Sequence, residues 1–78
     1  MKFRVQAGPD AATTVVFEPW GEEHELAPGD HIDVDFPLAA DGELTMGVEY
    51  GPGRIVLHQE VIATARVWDS SGREIDVV

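Results

Sequence analysis

Residues 31–36, with the sequence His-Ile-Asp-Val-Asp-Phe, alternate strictly between polar and apolar side chains. The turn residues Pro28-Gly29-Asp30 precede them and Pro37 follows them. Because successive side chains of a β-strand point to opposite faces, this pattern predicts a strand with one buried face and one exposed face. Residues that favour turns would bound the strand at both ends.

Short segments of the same kind recur along the whole chain and are separated by turn residues. They predict seven or eight short strands, at residues 2–6, 13–17, 22–26, 31–36, 44–50, 54–58, 61–68 and 74–78. No segment has the apolar spacing of an amphipathic helix. Residues 59–66 are the only plausible helix, but the β-branched side chains in this segment favour a strand.

A chain of 78 residues is long enough for one domain, residues 1–78, and leaves no room for long crossover connections. A sheet with one buried face must fold onto itself or close. We therefore expect an all-β fold, a small antiparallel β-sandwich or a partly open barrel of short strands. The predicted core consists of Phe3, Val5, Val15, Phe17, Ile32, Val34, Phe36, Leu44, Met46, Val48, Ile55, Leu57, Val67 and Ile75.

The composition excludes several classes of function. The chain has 5 Lys and Arg against 15 Asp and Glu, a net charge of −10, and no cysteine. Disulfides, cysteine-bound zinc, iron–sulfur clusters and thiol catalysis are therefore excluded. Because phosphates and anionic membranes attract basic residues, neither nucleic acid nor a membrane is an expected partner. With no cysteine and no signal-like N-terminal pattern, we expect a cytoplasmic protein.

The acidic residues are concentrated in one part of the chain. Between Arg4 and Arg54 there are eleven acidic residues and no Lys or Arg. An acidic bias of this kind is typical of proteins from high-GC or salt-adapted organisms, where it has no specific function. It is also what a face that recognises a basic partner would show.

Two tryptophans are candidate anchors for a partner. Trp20 lies in the segment Glu18-Pro19-Trp20-Gly21, where the proline and the glycine favour a sharp corner. It would either close the end of the core or stand out as a contact residue. Trp68, beside a predicted hairpin loop, has the same two interpretations.

Three histidines raise the possibility of a metal site. His24 and His31 flank the Pro28-Gly29 turn, and we expect the strands on either side of it to form a hairpin that pairs Leu26 with Ile32. One face of that hairpin would then carry His31, Asp33 and Asp35 together with Glu23 and Glu25. No zinc or calcium motif is present, and alternating acids are also typical of a solvated strand.

Catalysis is not expected. Ser70 and Ser71 lie in a turn without a nucleophile motif, and Gly51 and Gly53 do not lead into a helix that could bind phosphate. A chain this short rarely has room for a deep cleft. We therefore expect no enzymatic activity and no cofactor.

One local resemblance bears on the class of protein. The segment Phe17-Glu18-Pro19-Trp20-Gly21, followed by Leu26-x-Pro28-Gly29-Asp30, resembles a stretch in small uncharacterised bacterial all-β proteins. This resemblance implies a compact bacterial β-domain and no particular activity. The strand pattern also resembles that of cupredoxin-like sandwiches, but the cysteine that blue-copper sites require is missing.

The sequence therefore predicts a non-catalytic domain that binds another protein or itself, with homodimerisation as the favoured form. In this hypothesis an acidic face attracts a basic partner and a tryptophan anchors it. The residues assigned to these roles are Glu22, Glu23, Glu25, Asp33, Asp35, Trp20 and Trp68. The alternative is a metal- or small-ligand-binding module that uses His31, Asp33 and Asp35, with His24 or His58. A third possibility is an acidic protein that mimics DNA or neutralises a toxin.

Overall fold

The described part of the chain is entirely β-structure. A computed structural model describes residues 1–36, 47–58 and 65–76, and within these ranges it contains eight strands and no helix. The strands are β1 (Lys2–Gln6), β2 (Thr13–Glu18), β3 (Glu22–Leu26), β4 (His31–Asp35), β5 (Gly47–Gly51), β6 (Arg54–His58), β7 (Arg66–Asp69) and β8 (Glu74–Ile75). Residues 44–46, 61–64 and 77–78, which are also predicted as strand, lie outside the described residues.

The strands form two four-stranded sheets. Sheet A has the order β1-β4-β7-β8, and sheet B has the order β3-β2-β6-β5. Buried side chains from both sheets form a single hydrophobic cluster, with Val34 and Val67 from sheet A meeting Val15 and Phe17 from sheet B. Two sheets that share one core constitute a β-sandwich, so the predicted fold class is confirmed.

One strand pair departs from the expected antiparallel arrangement. In sheet B, β2 and β6 are parallel, and Val16 pairs with Val56 in their register. Sheet B consists of two hairpins, β2–β3 and β5–β6, and between them the chain passes through β4 of the other sheet. The hairpins meet through their inner strands, β2 and β6, which run in the same direction.

The predicted hairpin across the Pro28-Gly29 turn is wrong. Leu26 pairs with Thr13 of β2, whereas Ile32 pairs with Val5 of β1 and with Asp69 of β7. The turn therefore carries the chain from sheet B to sheet A instead of joining neighbouring strands. As a result, the acidic residues of β3 and those of β4 belong to different sheets.

Most of the predicted core is confirmed. The residues buried as predicted are Val5, Val15, Phe17, Ile32, Val34, Phe36, Leu57 and Val67, and the residues that pack partly buried against them are Phe3, Ile55 and Ile75. Val48 is an error, because it is 41% exposed on β5, an edge strand of sheet B. Leu26, expected in a polar strand, is fully buried. Leu44 and Met46 lie outside the described residues.

Candidate functional site

The outer face of sheet A carries charges that alternate in sign from strand to strand. Lys2 and Arg4 of β1 lie opposite Asp35 and Asp33 of β4 in the strand register. On its other side Asp35 lies opposite Arg66 of β7. Cross-strand pairs of opposite charge stabilise neighbouring strands, so these residues support the order of the sheet.

Two ion pairs on this face are bidentate. The Arg4 guanidinium donates to both Asp33 carboxylate oxygens, at 2.8 and 3.3 Å. Arg66 donates to both Glu74 oxygens at 3.0 Å. These hydrogen bonds hold the pKa of Asp33 and the pKa of Glu74 below their ordinary values. Asp33, predicted to attract a basic partner, already has its charge balanced within the chain.

Trp68 lies half-buried between these pairs. The Arg66 guanidinium lies 5.1 Å from the centre of the Trp68 ring, a cation–π contact. A shallow cavity of about 490 Å³ beside this ring is lined by Arg4, Asp33, Trp68 and Gly72, among others. Because the Arg66 guanidinium already lies over the Trp68 ring, only part of the ring remains available for contact with a partner.

The residues proposed for a metal site do not form a ligand set. His31 Nε2 lies 3.9 Å from an Asp33 oxygen, but that carboxylate is bound by Arg4. His24 lies on β3 of sheet B, opposite Val15 and on the interior side of that sheet. Nowhere in residues 1–36, 47–58 and 65–76 do three His, Asp or Glu side chains lie close enough together to hold a metal ion.

The acidic residues of β3 have a different environment. Glu23 and Glu25 lie on the outer face of sheet B, opposite Val16 and Thr14, and Glu22 lies at the start of the strand. All three are exposed, and they have no hydrogen bond or ion pair with the described residues. Of the predicted attracting charges, these are the ones that are free to act on a partner.

Trp20 lies in the corner between β2 and β3. Gly21 has a φ of +73°, which favours glycine, and its amide donates to the Phe17 carbonyl at 2.9 Å. The corner predicted from the sequence is confirmed. Trp20 is half-exposed there, so it neither fills the core completely nor projects freely.

Ser70 and Ser71, which the sequence places in a turn, form local hydrogen bonds. The Asp69 carboxylate accepts hydrogen bonds from the Ser71 amide at 2.9 Å, the Ser71 hydroxyl at 2.6 Å and the Arg73 amide at 3.0 Å. A hydrogen bond from the Ser70 hydroxyl lowers the pKa of Asp30. These contacts hold the β7–β8 loop and connect it to the turn before β4.

Acidification is expected to destabilise the protein by protonating carboxylates whose pKa is lowered in the folded chain, among them that of Asp33. The pKa of Asp33 is lowered in the folded chain, so its contribution to the free energy of unfolding is fully present above the ordinary value of 3.8. That contribution is lost as the pH falls through the lowered pKa. Urea denaturation from about pH 5 downward should show a smaller loss of stability in Asp33→Asn than in the natural chain. Parallel profiles for the two proteins would contradict the role of the Arg4–Asp33 pair.

The interior is open to solvent between β1 and β5. In the register, Val48 and Tyr50 of β5 lie opposite Leu57 and Ile55, so they point to the interior side of sheet B. Sheet A nevertheless leaves them open, since Tyr50 is 80% exposed and Val48 is 41% exposed. A cavity of about 310 Å³, here called the edge groove, is lined by Met1, Phe3, Arg4, Val5, Gln6, Val48, Tyr50, Ile55 and Leu57.

The outer side of β5 carries one charge. Glu49 points away from the interior, and its carboxylate lies 3.1 Å from His58 Nε2 on β6. Every residue of β5 is exposed, and none of the described strands pairs with its free edge. Strand β5 therefore combines a backbone edge that no described strand pairs with, an apolar inner side and a single carboxylate on its outer side.

The sequence pattern did not indicate this site, because the alternation of residues 44–50 places Val48 in the core. Alternation alone cannot distinguish a strand covered by the opposite sheet from one that extends past it. Two features of the sequence could have indicated an edge. Glycines stand at both ends of β5, and Tyr50 has a polar hydroxyl that is compatible with exposure.

Comparisons with other proteins give no family for the chain. It matches no protein-family model, no curated protein and no solved structure. In the described ranges, no helix is long and apolar enough to cross a membrane. Functional inference therefore rests on the geometry of the chain itself.

Proposed function

We propose that this chain is a non-catalytic, cytoplasmic interaction domain whose free β5 edge receives an extended strand of another protein or of a second copy. The supporting observation is the exposure of β5 along its whole length, with Val48 and Tyr50 open on its inner side. A strand at the edge of a sheet presents unpaired amides and carbonyls that pair readily with another strand. The added strand would extend sheet B and cover part of the edge groove.

The other three sheet edges are less suited to this role. Edge strand β3 carries Glu22, Glu23 and Glu25, and edge strand β1 carries Lys2 and Arg4, charges that oppose strand addition. Edge strand β8 has only two residues, Glu74 and Ile75. Among the edge strands in the described part of the chain, β5 alone combines five exposed residues with two exposed apolar side chains on one side.

The remaining residues assigned from the sequence fit secondary roles in this proposal. Glu22, Glu23 and Glu25 are exposed and free of ion pairs among the described residues, so they would attract a basic partner over a distance. Asp33 and Asp35 would contribute less, because basic residues already face them. Trp20 and Trp68 would contact only a partner large enough to extend beyond β5.

Strand addition is tested with a neutral probe peptide. We expect a capped Thr-Thr-Val-Thr-Val-Thr-Thr peptide to shift the amide NMR signals of Gly47–Gly51 more than those of Glu22–Leu26. Tyr50→Ser should weaken this binding about tenfold, because an exposed aromatic side chain covered by the partner is lost. Arg73→Gln, at an exposed position between β7 and β8 of sheet A, is the control and should bind normally.

The self-associating form is tested separately by sedimentation equilibrium. A dimer that dissociates in Tyr50→Ser would support a second copy as the occupant of β5. A monomer whose amide shifts map to β3, or a monomer that binds no peptide at all, would contradict the proposed function.

A further inference from the structure

We infer that the occupant of β5 is an extended segment of a different protein, with a Lys or Arg between two apolar residues, rather than a second copy of this chain. This inference rests on the proposed function and adds the chemistry of the partner. It follows from the register options of β5, the position of Glu49 and the shape of the edge groove.

Self-pairing of β5 has an electrostatic cost. In a symmetric dimer two β5 strands would run antiparallel, and pairing all five residues sets Glu49 opposite Glu49 of the second copy. Directly opposed like charges destabilise a strand pair. Each copy also carries a net charge of −10, which adds repulsion between the whole molecules.

Shifting the register of the two β5 strands relieves the repulsion between the Glu49 carboxylates only by weakening the strand pairing in another way. A shift that sets Tyr50 opposite Tyr50 separates the two carboxylates but leaves only three paired residues within the five of β5. The intermediate register would set Tyr50 opposite Glu49, so an apolar side chain of one strand and a charged one of the other would share a face. A second copy therefore has either a charge conflict or a short strand pair.

A segment of a different protein avoids both problems. A Lys or Arg opposite Glu49 would pair with a carboxylate whose side chain is 71% exposed and which contacts only His58 among the described residues. The residues on either side of this basic residue would then point inward, next to Val48 and Tyr50. There the edge groove, of about 310 Å³, offers the apolar surface of Phe3 and Ile55.

The test compares three capped peptides that differ at one position, Thr-Thr-Val-X-Val-Thr-Thr, with X as Lys, Thr or Glu. At low salt we expect the Lys peptide to bind about threefold more tightly than the Thr peptide, and the Glu peptide to bind about threefold more weakly. Glu49→Gln should remove this preference, and Glu49→Lys should reverse it. Asp10→Asn, which removes one exposed charge outside the edge groove, is the control and should leave the preference intact.

The outcomes separate this inference from the proposed function. Equal binding of all three peptides at Gly47–Gly51 would overturn the basic partner and leave strand addition supported. A Lys preference that persists in Glu49→Gln would also overturn it, because overall charge would then be the cause. A dimer at micromolar concentration that the Lys peptide does not dissociate would favour the second copy instead. A monomer that none of the peptides binds would overturn both proposals.

Discussion

Phe17→Ala is expected to lose about 3–5 kcal/mol of unfolding free energy, the largest effect of any substitution considered. The Phe17 side chain is fully buried in β2, an inner strand of sheet B, where it belongs to the cluster shared by both sheets. Removing the ring leaves a cavity that the surrounding strands fill only in part. The total free energy of unfolding of a small domain is only about 5–15 kcal/mol. The melting temperature should therefore fall by more than about 12 °C.

The matched control for this substitution is Tyr50→Ala. Tyr50 also points to the interior side of sheet B, but it is 80% exposed on β5. Its replacement should change the free energy of unfolding by less than about 0.5 kcal/mol, because little apolar surface is lost from the core. Urea denaturation of both variants measures the difference, and equal losses would contradict the open edge at β5.

Leu26→Ala is expected to be the second most damaging substitution, with a loss of about 2–5 kcal/mol. Leu26 ends β3, whose other residues are polar or charged, yet its own side chain is fully buried in the shared core. The loss follows from the same cavity term as in Phe17→Ala, reduced because the leucine side chain is smaller. Urea denaturation at neutral pH provides the measurement.

Val48→Ala tests whether Val48 lies in the core, as the sequence pattern predicts, or on an exposed edge, as in the structure. The alternation of residues 44–50 predicts that Val48 lies in the core, whereas the structure leaves it 41% exposed. Its replacement should lose less than about 1 kcal/mol, mostly through lower β-propensity. A loss for Val48→Ala as large as for Leu26→Ala would mean that Val48 is covered as fully as Leu26, which would contradict an open edge at β5.

Substitutions in the core are expected to affect stability, whereas substitutions in the edge groove are expected to affect binding. Phe17 and Leu26 support the core and do not line the edge groove, so their replacement should lower stability without a specific effect on β5. Val48 and Tyr50 line the groove, and their replacement should weaken strand binding while the fold persists. A variant that loses peptide binding and keeps its melting temperature would therefore identify the binding surface.

Strand positions were predicted well because their signals are local. In residues 31–36 the alternation of Ile32, Val34 and Phe36 identifies the buried face, and all three are buried. The Asp69–Gly72 segment was predicted as a hairpin loop, and it connects β7 to β8. Turn residues and period-two alternation act within a few positions of the chain, so they need no information from distant residues.

The candidate site was predicted only in part. The acidic residues of β3 are exposed, as expected, but Asp33 forms a bidentate pair with Arg4, 29 residues away in sequence. The expected common acidic face required β3 and β4 to be neighbours, and each pairs with other strands. A sequence pattern shows which residues carry charge, but it cannot show which opposite charge will face them.

The sequence by itself determined that this protein is a small all-β domain, where most of its strands lie and which side chains alternate on them. Only the tertiary structure decided which strands became neighbours and which became edges, because pairing joins residues far apart in the chain. Strands β4 and β5 show the difference. Both place apolar residues at alternate positions, yet β4 lies between β1 and β7, whereas β5 ends sheet B. An apolar side chain that faces the interior is buried only where the opposite sheet covers it, and at Val48 and Tyr50 sheet A leaves it open.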